Sequence, residues 1–139
     1  MRDFGLPEAW APRLLALLRI VTALIFIEHG LQKLIGFPPA PMAPPAAGSL
    51  LWFGGIMEAF GGFLILIGLF TRPVAFLLAG EMAVAYWLFH APRSFYPLVN
   101  MGDAAILYCF IFLYLAAAGA GPWSVDAART RSTAEPRSN

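Results

Sequence analysis

An all-α membrane protein, built as a bundle of four antiparallel transmembrane helices, is the fold this sequence predicts. Composition points there first: 60% of the 139 residues are hydrophobic and 12% are charged, with a mean hydropathy of +0.72. A water-soluble domain carries roughly 25% charged residues, so this chain lacks the polar surface to face water. Four apolar stretches then reach the roughly 20 residues that a bilayer core demands of a helix. The segments between them carry the proline, glycine and arginine that end spans. A soluble enzyme is excluded as the default, as is a disordered chain, which needs low hydrophobicity. Nine basic against eight acidic residues give a net charge of +1, which leaves no electrostatic case for nucleic acid. Cys109 is the one cysteine, so an intrachain disulfide, a CxxC pair and a cysteine-based metal site are all out.

The spans follow in order. The first runs from about Pro12 to Phe37 and stops at a loop, Pro38 to Gly48, of Pro, Ala, Met and Gly. Its length and its ionisable residues argue against a cleaved signal peptide. The second runs from about Leu50 to Phe70 and ends at Thr71-Arg72-Pro73, a tight turn whose proline suits the start of a helix. The third covers about Pro73 to Ala91, and the fourth about Asn100 to Gly121. Residues 1–126 are expected to form one domain without internal repeats. The polar stretch 127–139, with Arg129, Arg131, Glu135 and Arg137, is expected to be a loose cytoplasmic tail.

Basic residues near span ends set orientation. With four spans, Arg2, Arg13, Arg72, Arg129, Arg131 and Arg137 fall on one side, against Lys33 and Arg93 on the other. Both termini are therefore expected in the cytoplasm of a bacterium, around a multi-pass domain of the inner membrane. Trp10 and Trp123 fall at the inner boundary, and Trp52 and Trp87 near the outer one.

Ionisable groups at membrane depth are costly and mark interior faces. On the first helix Arg19, Thr22, Phe26, His29 and Lys33 follow a 3-4-3-4 spacing, which aligns them in one stripe; Glu28 falls beside it. On the second, Gly54, Gly61 and Gly68 recur every seven residues, with Gly55, Ala59 and Gly62 in an adjoining row. Small residues at this spacing let helices approach closely, and Glu58 lies on the same packed face. Glu81 falls near mid-depth on the third helix and His90 at its outer end; Asn100 and Asp103 open the fourth. An outer layer then joins Glu28, His29, Lys33, His90, Asn100 and Asp103, and a deeper one joins Arg19, Glu58 and Glu81. An ion pair of Arg19 with Glu58, or with Glu81, is the expected way to lower the cost of burial. Plainer roles stand beside these: Arg19 snorkelling to headgroups, Asn100 and Asp103 capping a helix, Lys33 and His90 anchoring at the interface. Glu58 fits a plain role least well. The histidines form no HxxxH or HExxH pattern, so no metal is assigned.

These pieces, taken in order, resemble the DoxX family of small bacterial four-helix membrane proteins. The resemblance runs through Arg19, His29-Gly30 with Lys33-Leu34, Gly54-Gly55 with Glu58 and Gly61-Gly62, and Leu66-Ile67-Gly68-Leu69-Phe70-Thr71-Arg72. It continues through Pro97-Leu98-Val99-Asn100-Met101-Gly102-Asp103 and Gly119-Ala120-Gly121-Pro122-Trp123-Ser124-Val125-Asp126. A common family form has glycine and glutamate where this chain has Met101 and Asp103. The resemblance implies a link to thiosulfate–quinone oxidoreductase subunits and to membrane handling of oxidative and thiol stress.

Three functions compete on this basis. The first is an accessory subunit of a membrane redox process, holding a quinone or sulfur compound between helices. Electrons would come from a redox-protein partner, since the chain has no flavin, haem or thiol pair of its own; any enzyme activity would be that of an oxidoreductase subunit. The second is a small transporter or proton-linked channel, which four helices would build best as a homo-oligomer. The third is a membrane scaffold or assembly factor.

Overall fold

A computed structural model describes residues 8–41 and 43–134. The chain is all-α. Helix α1 is Glu8–Ile35, α2 is Leu50–Ile67 and α3 is Thr71–Arg93. A one-turn helix, Pro97–Asn100, leads into α4, Asp103–Ala118, and α5 is Val125–Ala134. The first three are long and apolar enough to cross a membrane, and α4 is not. The expected four-span bundle is therefore corrected to three spans. Met101 takes a left-handed φ of 58° and Gly119 a φ of 87°, so the backbone breaks at both ends of the expected fourth span. The 16 residues that remain rise only about 24 Å, against a hydrocarbon core of about 30 Å.

The outward faces are those of helices solvated by lipid. On α1, Leu14, Leu17, Leu18, Val21, Leu24 and Ile25 are exposed, while Ala16, Arg19, Thr22, Ala23, Phe26 and Gly30 are buried. Arg19, Thr22 and Phe26 of the polar stripe thus point inward and the aliphatic residues outward, while Lys33 is half-buried and His29 exposed. The core joins Ala23 and Phe26 of α1, Ile65 of α2, Leu78 and Met82 of α3, and Phe112 and Leu115 of α4. Phe26 packs edge-on against Phe112 and Tyr108, at 4.8 and 5.0 Å between centroids.

The two small-residue rows of α2 serve different neighbours. Gly55 and Gly62 face α1, where a Cβ on Gly62 would lie 2.8 Å from Ile27 Cγ1. Gly61 faces Leu78 of α3, also at 2.8 Å, and Gly54 faces Glu81. Gly68 is not part of this stripe: it lies beyond the end of α2 at φ 66° and packs against Ser124 and Arg19. The closest backbone approach is at Gly30 of α1, whose Cβ would meet Ala59 Cα and Gly55 O at 2.8 Å. Backbone cannot swing aside as Leu78 can. Gly30→Ala is therefore expected to lower stability by about 1–3 kcal/mol and Gly61→Ala by less. Thermal unfolding of both variants in detergent checks the order, and equal losses would contradict it.

The α2–α3 turn is closed from a distance. Oδ1 and Oδ2 of Asp126 accept the Phe70 and Thr71 N–H groups at 2.9 Å each. A carboxylate thus caps the free amides of α3, and the stretch expected to be a loose tail is helical over Val125–Ala134. Partial burial would raise the Asp126 carboxyl, but the amides of Thr71 and Phe70 and the nearby Arg129 hold it below the ordinary Asp value of 3.8. A depressed carboxyl stabilises the fold at any pH above that ordinary value, and its contribution disappears as pH falls through the lowered one. The stability difference between wild type and Asp126→Asn should therefore persist from neutral pH to about pH 4 and shrink below it. A difference unchanged down to pH 3 would contradict this capping role.

Candidate functional site

The inward stripe of α1 divides between the two ends of the bundle. At one end Arg19, fully buried, donates only to backbone carbonyls. Its Nε reaches Ala120 O at 2.8 Å, Nη1 reaches Ile65 O at 2.7 Å and also Leu66 O, and Nη2 reaches Trp123 O at 2.8 Å. The expected pairing of Arg19 with Glu58 or Glu81 is not formed. Five fixed guanidinium donors match several carbonyls freed at helix ends better than one carboxylate does. Arg72 does the same nearby, donating to Ala116, Ala117 and Ala118 at the end of α4. Sequence reading gave Arg72 no such role.

At the other end Lys33 Nζ donates to Glu58 Oε1. The Glu58 side chain is 3% exposed and that of Lys33 28%. Register explains the choice. Gly30 lies against Ala59 and Ile27 against Gly62, so each step back along α1 is one step forward along antiparallel α2. That brings position 33 beside Gly55 and Ile56, from which the long Lys33 side chain reaches Glu58, and carries position 19 past the end of α2. Glu58 also lies within a π-helical turn, Met57–Gly61, a wider geometry that is frequent at functional sites. His90 ends a second one, Tyr86–His90.

Two cavities meet at the Lys33–Glu58 pair. One, of about 210 Å³, lies within the bundle and is lined by His29, Lys33, Glu58, His90, Met101 and Tyr108, among others. The other, of about 250 Å³, is a largely apolar slot between α2 and α3. Leu50, Leu51, Phe53, Met57, Val84 and Phe89 line it, and Lys33, Glu58 and Glu81 are its polar groups. Glu58 Oε2 and Glu81 Oε2 are buried and have no hydrogen-bond partner among the described residues. A buried polar atom without a partner is costly, and two in one slot mark a place where a ligand hydroxyl or a proton would be held.

The remaining predicted residues are supports or lie outside. Asn100 does not cap α4. It is buried at the end of the one-turn helix, where its Oδ1 accepts the Gly102 N–H at 2.7 Å and its Nδ2 donates to Ser94 O at 2.9 Å. The Asn100 carbonyl lies 3.0 Å from His90 Nδ1, which fixes the imidazole beside the first cavity. Gly102 is required here, because a Cβ would lie 2.7 Å from the Tyr86 ring. Glu28 and Asp103 are exposed and line neither cavity. Among the described residues no cluster of three His, Cys, Asp or Glu side chains is placed to hold a metal. Tyr108 was not singled out from the sequence, and Met101 only as a departure from the common family form. Tyr108 is the hydroxyl-bearing ring one turn before Phe112, and its edge-on contact with His29 at 5.8 Å places it at the cavity.

Comparison with known proteins identifies the family of this chain. The DoxX family model matches residues 14–91, a range that holds Arg19, Lys33, Glu58, Glu81 and His90. The chain belongs to the DoxX family. A Haemophilus influenzae relative, described as an uncharacterized protein, is 40% identical over 124 residues, covering 86% of this chain and 92% of the relative. The inner membrane protein YphA of Escherichia coli is 31% identical over 135 residues, covering 89% of this chain and 94% of YphA. No solved structure matches the chain. This DoxX chain thus places its paired charges where α1, α2 and α3 converge.

Proposed function

We propose that this DoxX protein binds a lipid-soluble quinone in the slot between α2 and α3, as a non-catalytic accessory subunit of a membrane redox process. One observation carries the reading: an apolar slot ends on an ammonium donor and two carboxylate oxygens that lack partners. A quinone head needs donors for its carbonyl oxygens and, when reduced, acceptors for its hydroxyls. Lys33 supplies the first, and Glu58 and Glu81 the second. The surrounding Leu, Phe, Met and Val side chains suit an isoprenoid tail. When bound, the quinone supplies the electron-carrying chemistry, with electrons exchanged through a redox-protein partner. The likeness to YphA supports an inner-membrane location. The positive-inside rule turns the end bearing Arg13, Arg72, Arg129 and Arg131 to the cytoplasm.

Gly80 provides the test. It lines the slot, and a Cβ built there meets nothing within 4 Å. Gly80→Trp should fill the slot while the fold persists, and Gly80→Ala should be stabilising by about 0.5–1 kcal/mol through helix propensity. Titration with a short-tailed quinone is expected to show saturable binding to wild type and to Gly80→Ala, and a loss of at least tenfold in affinity for Gly80→Trp, about 1.4 kcal/mol or more. Equal binding by all three variants would sink the slot assignment.

A further inference from the structure

Two carboxylates share the slot with one ammonium group. If Glu58 and Glu81 were both ionised, the trio with Lys33 would hold a net negative charge in apolar surroundings, which is costly at membrane depth. One proton on the trio removes that charge. Glu58 Oε1 accepts from Lys33, so Glu58 is the carboxylate whose ionised form is compensated, and Glu81 is the one that takes the proton. Glu81 lines the slot and not the inner cavity, whereas Glu58 lines both. The inner cavity places His29 and His90 on the far side of Glu58.

We infer that Lys33, Glu58 and Glu81 form a proton-exchange site in which Glu81 stores one proton and Glu58 passes it between the slot and the histidine-lined cavity. In the first transfer the O–H bond at Glu81 breaks and one forms at Glu58 Oε2. The negative charge moves from one carboxylate to the other beside the same Lys33, so the trio stays neutral. In the second, the Glu58 O–H bond breaks and an N–H bond forms on His29, through water for which Lys33, His90 and Tyr108 are polar partners in the cavity of about 210 Å³. No electron moves, so no oxidant or reductant is needed. The ionisable groups facing Glu58 are His29 and Lys33 of α1, Glu81 and His90 of α3, and Tyr108 of α4. Glu28 and Asp103 are exposed nearby in the sequence of α1 and α4. Use of the stored proton by a reduced quinone rests on the slot reading above; the proton path does not.

The test therefore uses no quinone. Infrared spectra of the full chain in lipid nanodiscs are recorded as H2O is replaced by D2O. A protonated carboxyl band is expected in wild type that shifts rapidly in D2O and is lost in Glu81→Gln. In Glu58→Gln the band should weaken, because Glu81 is then the one carboxylate of the slot left to balance Lys33. The double variant Lys33→Met with Glu58→Gln is neutral with Glu81 protonated, and there the band should persist and exchange about a hundredfold more slowly, the scale of losing a positioned acid–base group. A band that survives Glu81→Gln unchanged overturns the storage site. Wild-type exchange rates in the double variant overturn the route through Glu58. Failure of quinone to bind, seen separately by titration, would overturn the slot reading alone.

Discussion

Arg19→Leu is expected to destabilise the fold more than any other single substitution at an interior polar residue, by at least about 4 kcal/mol. Four carbonyls, on Ile65, Leu66, Ala120 and Trp123, would lose a charged donor together. A charged hydrogen bond contributes about 1.5–3 kcal/mol, and an unpaired buried acceptor costs about 1–3 kcal/mol. These bonds join the end of α2 to the chain that follows α4, so their loss should loosen both. Arg19→Lys should rescue little, since one ammonium cannot span four carbonyls with the fork geometry of a guanidinium. Because Arg19 and Glu58 have separate partners, the double variant Arg19→Leu with Glu58→Leu should lose the sum of the two single losses. Recovery in that double variant would show a direct interaction the structure lacks. Chemical denaturation in detergent, read by helix content, measures all three.

The second large effect is at Lys33–Glu58. Glu58→Leu should cost about 2–3 kcal/mol, because it leaves Lys33 without its counter-charge; full burial of both groups would give about 3–5 kcal/mol, and the partial exposure of Lys33 reduces it. Lys33→Met should cost more than Glu58→Leu, since it strands the more deeply buried partner. The double variant Lys33→Met with Glu58→Leu should recover a large part of both losses, a positive coupling that Arg19 and Glu58 will not show. Strict additivity at this pair would remove the ion pair from the account.

The helical class, the first three spans and the burial of Arg19, Thr22 and Phe26 on α1 were legible because hydropathy and 3.6-residue periodicity report directly on burial. Pairing across helices was harder. Arg19, His29 and Lys33 share a face, but a face gives no axial register, and about 21 Å of helix separates Arg19 from Lys33. Placing Gly30 of α1 against Ala59 of α2 would have put Lys33 beside Gly55 and Ile56, within a lysine side chain's reach of Glu58. The seven-residue repeat instead suggested one packed face that included Gly68, which is a turn residue at φ 66°. The fourth span read as long enough because apolar residues run through it. Its breaks depend on the backbone of Met101 and Gly119, and a non-glycine residue at positive φ leaves little trace in a sequence. The π turns at Glu58 and His90, and the remote cap from Asp126, likewise come from tertiary packing rather than local propensity.

Quinone binding is proposed for the slot on the Lys33–Glu58 pair. It is tested most directly by purifying the protein from its own membrane and measuring co-isolated lipids by mass spectrometry, with Gly80→Trp treated identically. Wild type should retain an isoprenoid quinone in excess over its share of the bulk lipid, and Gly80→Trp should be depleted of it. Quinone at the bulk-lipid ratio in wild type, or equal retention by both proteins, would contradict it.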